Sequence, residues 1–158
     1  MGRHQFSLRI EDNLAVLLAT RLNAMNSIKN VARLGLGLAL IYAGIGHFTF
    51  SRVEFRAQVP TWLPLDADFV VLASGLVEIV LGVSLIVLYR YKKLVGLATA
   101  LFFVAIFPGN ISQYVNGVDA FGLNTDSARF IRLLFQPLLV IWALWSTNAF
   151  DYFRAKKR

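Results

Sequence analysis

The stretch FVVLASGLVEIVLGVSLIVLY, residues 69–89, decides the fold of this chain. A helix needs roughly 20 apolar residues to cross the hydrocarbon core of a bilayer. The stretch has that length and carries one charged side chain, Glu78. A surface helix of a soluble domain would instead show a polar face along its whole length. The stretch therefore predicts a transmembrane helix.

Three further apolar stretches have comparable length: Val31–Phe50, Leu94–Val115 and Phe130–Phe150. The segments between them carry prolines, charges or runs of glycine, asparagine and aspartate, which end helices. The separator RYKK, residues 90–93, is so short that the second and third helices must be antiparallel neighbours. The predicted fold is all-α, a membrane-embedded four-helix bundle over residues 27–150.

The composition agrees with a membrane protein and excludes several kinds of chemistry. Of the 158 residues, 57% are hydrophobic and 16% are charged, and the mean hydropathy is +0.60. The net charge is +7, but the basic residues flank the apolar stretches, so we expect a lipid bilayer as partner and no nucleic acid. Cysteine is absent, which excludes disulfides, thiol relays and cysteine-ligated metals within this chain.

The distribution of Lys and Arg predicts the orientation. Twelve of the 16 lie on the side that holds both termini and the 90–93 turn, and four lie on the other side. Because cytoplasmic loops are enriched in basic residues, both termini are predicted to be cytoplasmic, in the cell (cytoplasmic) membrane. The two histidines, His4 and His47, then lie on opposite sides of the membrane. No histidine metal site and no covalently bound cofactor are therefore expected.

Residues 1–26 are predicted to form an amphipathic helix before the bundle. Apolar residues recur there at helical spacing, opposite a charged and polar face: Ile10, Leu14, Leu17, Leu18, Leu22 and Met25. The apolar run is too short to cross a bilayer, so we expect the helix to lie on the cytoplasmic leaflet. A helix that docks on a soluble partner or folds under the bundle is the alternative. Residues 151–158 are predicted to be a basic cytoplasmic tail.

Glu78 is the residue least expected in a membrane-spanning helix. It lies about ten residues into its stretch, so it is about 15 Å deep at roughly 1.5 Å per residue. A charged carboxylate facing lipid at that depth would cost several kcal/mol, and we therefore expect Glu78 to face the bundle interior. Ser74, Gly75 and Gly82 share its helix face, which suits close packing against another helix.

Further polar residues in the predicted helices indicate a ligand-binding pocket that opens outward and narrows toward Glu78. We expect Gln136 to lie nearest to Glu78 in depth, and Arg132 to be either its counter-ion or an interface residue. Asn110 and Gln113 have a structural alternative, because such amides often only hydrogen-bond between helices. No residue is assigned a catalytic role, and the predicted pocket residues are Glu78, His47, Asn110, Gln113, Arg132, Gln136 and Ser74.

Five motifs, taken in order, resemble those of the DoxX family of small four-helix membrane proteins. They are AGIGHF (43–48), VPTWLP (59–64), SGLVEIVLG (74–82), FPGNI (107–111) and RLLFQPLLVIWA (132–143). The resemblance covers residues 31–145 and implies a four-helix bundle. Gly109 stands where alanine is more usual in that family, a change that should matter little.

The resemblance implies a class of function but not one activity. The DoxX family takes its name from a subunit of a thiosulfate:quinone oxidoreductase, other relatives are linked to oxidative-stress complexes, and a distant animal branch acts as a chaperone. Some related proteins carry cysteine pairs that this chain lacks, so thiol–disulfide catalysis is not implied. We expect a non-autonomous accessory subunit that binds a lipophilic ligand, such as a quinone or lipid, or a redox-complex partner. A membrane-protein assembly factor is the alternative, and solute transport finds support in Glu78 alone. Unaided catalysis is not expected.

The predicted topology is tested by reporter fusions. Fusions after Lys93 and after Arg158 are expected to report the cytoplasm, and a fusion at Asp119 is expected to report the opposite side, because twelve of the 16 basic residues favour this orientation. A C-terminal reporter found outside the cytoplasm would contradict the assignment.

Overall fold

The computed structural model describes the backbone of residues 2–155 and the side chains of residues 14–153. The predicted side-chain pattern before Leu14 and the last three residues of the basic tail lie outside this range. Within it the fold is all-α, as predicted. The helices are α1 (Gly2–Phe48), α2 (Arg52–Ala57), α3 (Ala67–Val87), α4 (Lys92–Val115), α5 (Asp126–Ser146) and α6 (Asp151–Ala155), with a 3₁₀ turn at Tyr89–Tyr91 before α4.

Four helical segments in the described chain are long and apolar enough to cross a bilayer: Leu14–Phe48, Ala67–Val87, Tyr89–Val115 and Asp126–Ser146. The chain is therefore a multi-pass membrane protein. Its last span begins four residues earlier than the apolar pattern indicates, because the Thr125 hydroxyl accepts a hydrogen bond from the Ala128 amide at 3.2 Å and caps α5 there.

The predicted N-terminal helix is present, and it continues into the first span without a break. No glycine or proline separates the two parts, and the Ser27 hydroxyl donates back to the Asn23 carbonyl within the helix, so it does not cap a new one. The apolar side chains of Leu14, Leu18 and Leu22 are exposed. The position of this segment relative to the bilayer surface stays a prediction.

Glycines bring α1 and α3 into direct backbone contact. A Cβ atom on Gly82 would lie 2.6 Å from the Gly37 carbonyl oxygen, and one on Gly44 would lie 2.7 Å from the Gly75 carbonyl oxygen. The packing face predicted for Gly75 and Gly82 is thus confirmed. On α1 the contact is made by Gly37 and Gly44, whereas a Cβ atom on Gly35 would meet only Trp142, at 4.0 Å.

The bundle consists of two tightly packed helix pairs, α1 with α3 and α4 with α5. Contacts of α1 with α5 and of α3 with α4 close the ring. An apolar core that includes Leu36, Leu85 and Phe103 fills the space between the pairs. We call the end of the bundle near α2 the α2 end, and the opposite end, with Tyr89–Tyr91 and α6, the terminal end.

Ion pairs hold two loop segments over the α2 end. Arg52 and Arg56 on α2 both pair with Asp68 near the start of α3, and the bond to Asp68 raises the pKa of the Arg52 guanidinium. Buried Arg129 on α5 pairs with Asp119 and Asp126 and also donates to the Val118 carbonyl at 3.3 Å. These contacts fix the 116–125 loop, in which Phe121 has a φ of +57°.

The backbone contact between α1 and α3 leads to a stability prediction. Gly82→Ala is expected to lower the free energy of unfolding by about 1–3 kcal/mol, because the new methyl group must push the helices apart. Thermal unfolding in a mild detergent measures the change. Gly35→Ala is the matched control, since it makes the same change in helix propensity where the new methyl group would make only an ordinary van der Waals contact, with Trp142. Equal stability of the two variants would contradict the packing.

Candidate functional site

His47 and Glu78 meet at the interface between α1 and α3. His47 Nε2 lies 3.3 Å from Glu78 Oε2, and the residues are only 5% and 6% exposed. Gly75 makes room for this pair, because a Cβ atom there would lie 2.5 Å from the Cβ atom of His47. Glu78 therefore faces the bundle interior, as expected, and its nearest charged or ionisable partner is a histidine from the neighbouring helix.

The second ring nitrogen of His47 determines how protons are arranged in the pair. His47 Nδ1 lies 2.9 Å from the Val71 carbonyl oxygen and 3.1 Å from Ser74 Oγ, which itself donates to the same carbonyl. A carbonyl oxygen can only accept, so Nδ1 must carry a hydrogen. In neutral His47, Nε2 then presents a lone pair to Glu78. A bare carboxylate would repel that lone pair, so the contact is favourable only when the pair holds one proton, on either group, which we call the shared proton.

The geometry of the pair is incomplete despite its short distance. Neither His47 Nε2 nor Glu78 Oε2 has a hydrogen bond of acceptable geometry within the described chain, although both atoms are buried. A phenyl ring stacks on the imidazole, with the Phe55 centroid 3.5 Å from that of His47. Buried polar atoms without a partner are costly, and such atoms at the edge of a cavity indicate a site that a ligand can complete.

A cavity of about 430 Å³ opens beside the pair, between the two helix pairs and under the α2 end. Its volume is in the range of pockets that hold small organic ligands. The wall is mostly apolar, with contributions from α1, α3, α4, α5 and the two loop segments. The apolar lining includes Leu36, Leu40, Val59, Trp62, Phe103 and Leu139.

Six of the seven predicted pocket residues line this cavity: His47, Ser74, Glu78, Asn110, Arg132 and Gln136. Gln113 does not line it. Gln113 is fully buried and accepts a 2.6 Å hydrogen bond from Gln58. It also donates to the Val118 carbonyl of the 116–125 loop, so α4 directs it toward the loops and away from the cavity.

Arg132 forms no salt bridge with Glu78 within the described chain, although the two groups interact electrostatically, and its alternative role as an interface residue stays a prediction. Its guanidinium lies over the Phe121 ring, 5.2 Å from the centroid, and its one hydrogen bond is a long one of 3.5 Å to Gln58. Its Nε is buried without a partner. Within the described chain no carboxylate forms a salt bridge with it. Arg132 thus presents a cationic donor to the cavity.

The amide side chains that line the cavity also hydrogen-bond between helices, which was the structural alternative for Asn110. Asn110 on α4 donates to Gln136 on α5 at 2.8 Å, and Gln136 donates in turn to the Phe103 carbonyl. This network ties α4 to α5, and such bonds are worth about 0.6–2 kcal/mol in membranes. Asn110 and Gln136 therefore stabilise the wall, and the pair formed by His47 and Glu78 has the greater capacity to bind a ligand.

The loops contribute side chains to the cavity wall that the sequence patterns did not predict. Phe55 and Gln58 reach the cavity from α2 and the residue after it, and Phe121 reaches it from the 116–125 loop. Their positions depend on tertiary ion pairs and on the positive φ of Phe121, which hydropathy does not reveal. The one available signal was the position of Gln58, directly before the motif VPTWLP.

A model of the family described as Domain of unknown function (DUF8561) matches residues 36–147, and the chain belongs to that family. The match includes every residue that lines the cavity. No curated protein and no solved structure matches the chain.

The shared proton predicts a pattern of stabilities. His47→Phe keeps the ring stacking but leaves the Glu78 carboxyl buried without a partner, so a loss of about 3–5 kcal/mol is expected. Glu78→Gln should stay within about 1 kcal/mol of the parent, because its amide can donate to the His47 lone pair. The double variant His47→Phe with Glu78→Leu should recover most of the loss. Thermal unfolding in detergent measures all three, and a double variant no more stable than His47→Phe alone would contradict a coupled pair.

Proposed function

We propose that this member of the DUF8561 family is a DoxX-like accessory subunit that binds a lipophilic ligand, such as a quinone, in the cavity beside His47 and Glu78. The observation that carries the proposal is the buried, incompletely bonded pair at the edge of a largely apolar cavity. We infer a non-autonomous subunit, because the described chain supplies a binding site but no group of three or more metal-ligating side chains.

The cavity favours a ligand with an apolar body and hydrogen-bond acceptors. Leu40, Phe103 and Leu139 offer apolar surface, while Arg132 offers a hydrogen-bond donor without a carboxylate partner. A protonated Glu78 carboxyl would offer another donor. Carbonyl oxygens on a compact ring satisfy these demands, whereas a purely aliphatic chain would leave the polar groups unpaired.

The DoxX-like motifs support the quinone class, because that family is named from a quinone-linked subunit. The excess of basic residues near the terminal end supports an orientation with both termini in the cytoplasm. The cavity would then open toward the outer side of the cell membrane, between the two loop segments that cover the α2 end. Ligand would be exchanged there or from the adjoining lipid.

A second candidate, an assembly factor for another membrane protein, is favoured by one observation. The apolar side chains of the α1 extension, Leu14, Leu18, Leu22 and Met25, are about half exposed in the described chain. An uncovered apolar stripe of this kind suits a partner helix or the bilayer surface. This candidate places the function on the α1 extension and needs no ligand in the cavity.

Glu78→Gln is expected to lower the affinity for quinone about tenfold. This change corresponds to the loss of one hydrogen bond to a charged or proton-sharing group. The physical reason is that the glutamine amide donates to His47 and leaves only its oxygen to face the ligand carbonyl. Titration of the detergent-solubilised protein with a short-chain benzoquinone, together with mass spectrometry of copurified quinones, measures the effect.

Glu54→Gln is the matched control, since it removes a carboxylate from α2 outside the cavity lining. Unchanged binding by Glu78→Gln, with Glu54→Gln also unchanged, would refute the pocket. The second candidate is tested separately by Leu14→Asp with Leu18→Asp. Loss of a copurifying membrane protein in that variant, with quinone recovery intact, would favour the assembly role.

A further inference from the structure

At the terminal end of the bundle, two cationic side chains approach one aromatic ring. The Arg33 guanidinium carbon lies 5.3 Å from the centroid of the Tyr89 ring, and Lys92 Nζ lies 4.4 Å from it. Lys92 Nζ also donates to the Tyr89 hydroxyl at 3.3 Å. The chain thus gathers two positive charges from α1 and α4 around the turn that follows α3.

The two charges are not neutralised by the protein. Within the described chain, neither Arg33 nor Lys92 forms a salt bridge, whereas neighbouring Lys93 pairs with Asp151 at 2.6 Å. Arg33 is only 4% exposed, its Nε has no hydrogen-bond partner, and its Nη1 makes one long bond of 3.4 Å to the Ile86 carbonyl. The Ile86 carbonyl lies at the C-terminus of α3, where the helix dipole favours a cation, but one long bond does not satisfy a buried guanidinium.

The Tyr89 hydroxyl lies within this positive field. It accepts a hydrogen bond from Lys92, and the Asn30 side chain is its second hydrogen-bond partner, so a bound ligand would compete with Asn30 for the hydroxyl hydrogen. Tyr89 is half exposed and stands at the end of a membrane-spanning helix, the level at which lipid head groups lie. An ammonium, a hydroxyl donor and a buried guanidinium behind them match the oxygens and charge of a phosphate.

We propose that Arg33, Tyr89 and Lys92 form a binding site for the phosphate of an anionic phospholipid at the terminal end. The Lys92 ammonium and the Tyr89 hydroxyl contact the phosphate oxygens, and Arg33 supplies the fixed positive charge behind the ring. The site is separate from the cavity beside Glu78 and does not depend on the function proposed for that cavity.

Binding of a soluble short-chain phosphatidylglycerol to the protein in neutral detergent tests the site. Lys92→Gln is expected to lower the affinity for phosphatidylglycerol about tenfold, because it removes one charge-assisted hydrogen bond to the phosphate. Tyr89→Phe removes only the hydroxyl and is expected to weaken it about threefold to fivefold. Short-chain phosphatidylcholine is expected to bind more weakly than phosphatidylglycerol to the parent protein, because it carries no net charge.

Arg90→Gln is the matched control, because it removes one exposed charge next to Tyr89 that makes none of the contacts described above. It is expected to stay within about twofold of the parent, since exposed charges are screened. Equal losses in Arg90→Gln and Lys92→Gln would indicate general charge attraction and overturn the site. Full competition by inorganic phosphate at equal concentration would assign the site to a free anion and overturn its assignment to a lipid.

Discussion

The contact between His47 and Glu78 requires α1 and α3 to approach until their backbones touch. A carboxyl group near the middle of a membrane is tolerated only where a partner on another helix shares its charge or its proton. Gly75 leaves the space that the His47 side chain occupies, and Gly44 lies against the backbone beside it. The small residues of α3 and its buried acid are therefore parts of one arrangement.

This close approach has a consequence for the rest of the bundle. Because α1 packs tightly on α3, and α4 on α5, the closest contacts lie within the two pairs, and the cavity lies between the pairs under the α2 end. The amides of Asn110 and Gln136 hold the second pair together on the far wall. The protein thus combines rigid pairs with an open interface, a common place for ligand sites in helical bundles.

Hydropathy and charge were sufficient to predict the class of fold, because a bilayer demands long apolar helices whose backbone groups bond internally. The inward position of Glu78 was also predictable, since a lipid-facing acid is costly. The contact of Glu78 with His47 was not predictable. Depth along the helices alone favoured Gln136 and Arg132 as partners of Glu78, whereas the length and orientation of the His47 side chain on α1 decide the contact. Gln113 has the structural role that was its alternative, since it bonds to Gln58 and Val118 and does not line the cavity. The loop residues Phe55 and Phe121 depend on ion pairs that no local pattern predicts.

The positions of the hydrogens on the His47 ring show most directly whether His47 and Glu78 form a pair that holds one proton. Nitrogen NMR of ring-labelled protein, with His4 replaced by glutamine so that one histidine remains, reads the state of both ring nitrogens. We expect a hydrogen on Nδ1 in the parent and in Glu78→Gln, with Nε2 acting as the acceptor in the variant. An Nδ1 without hydrogen, in either protein, would contradict the bond to Val71 and with it the shared proton between His47 and Glu78.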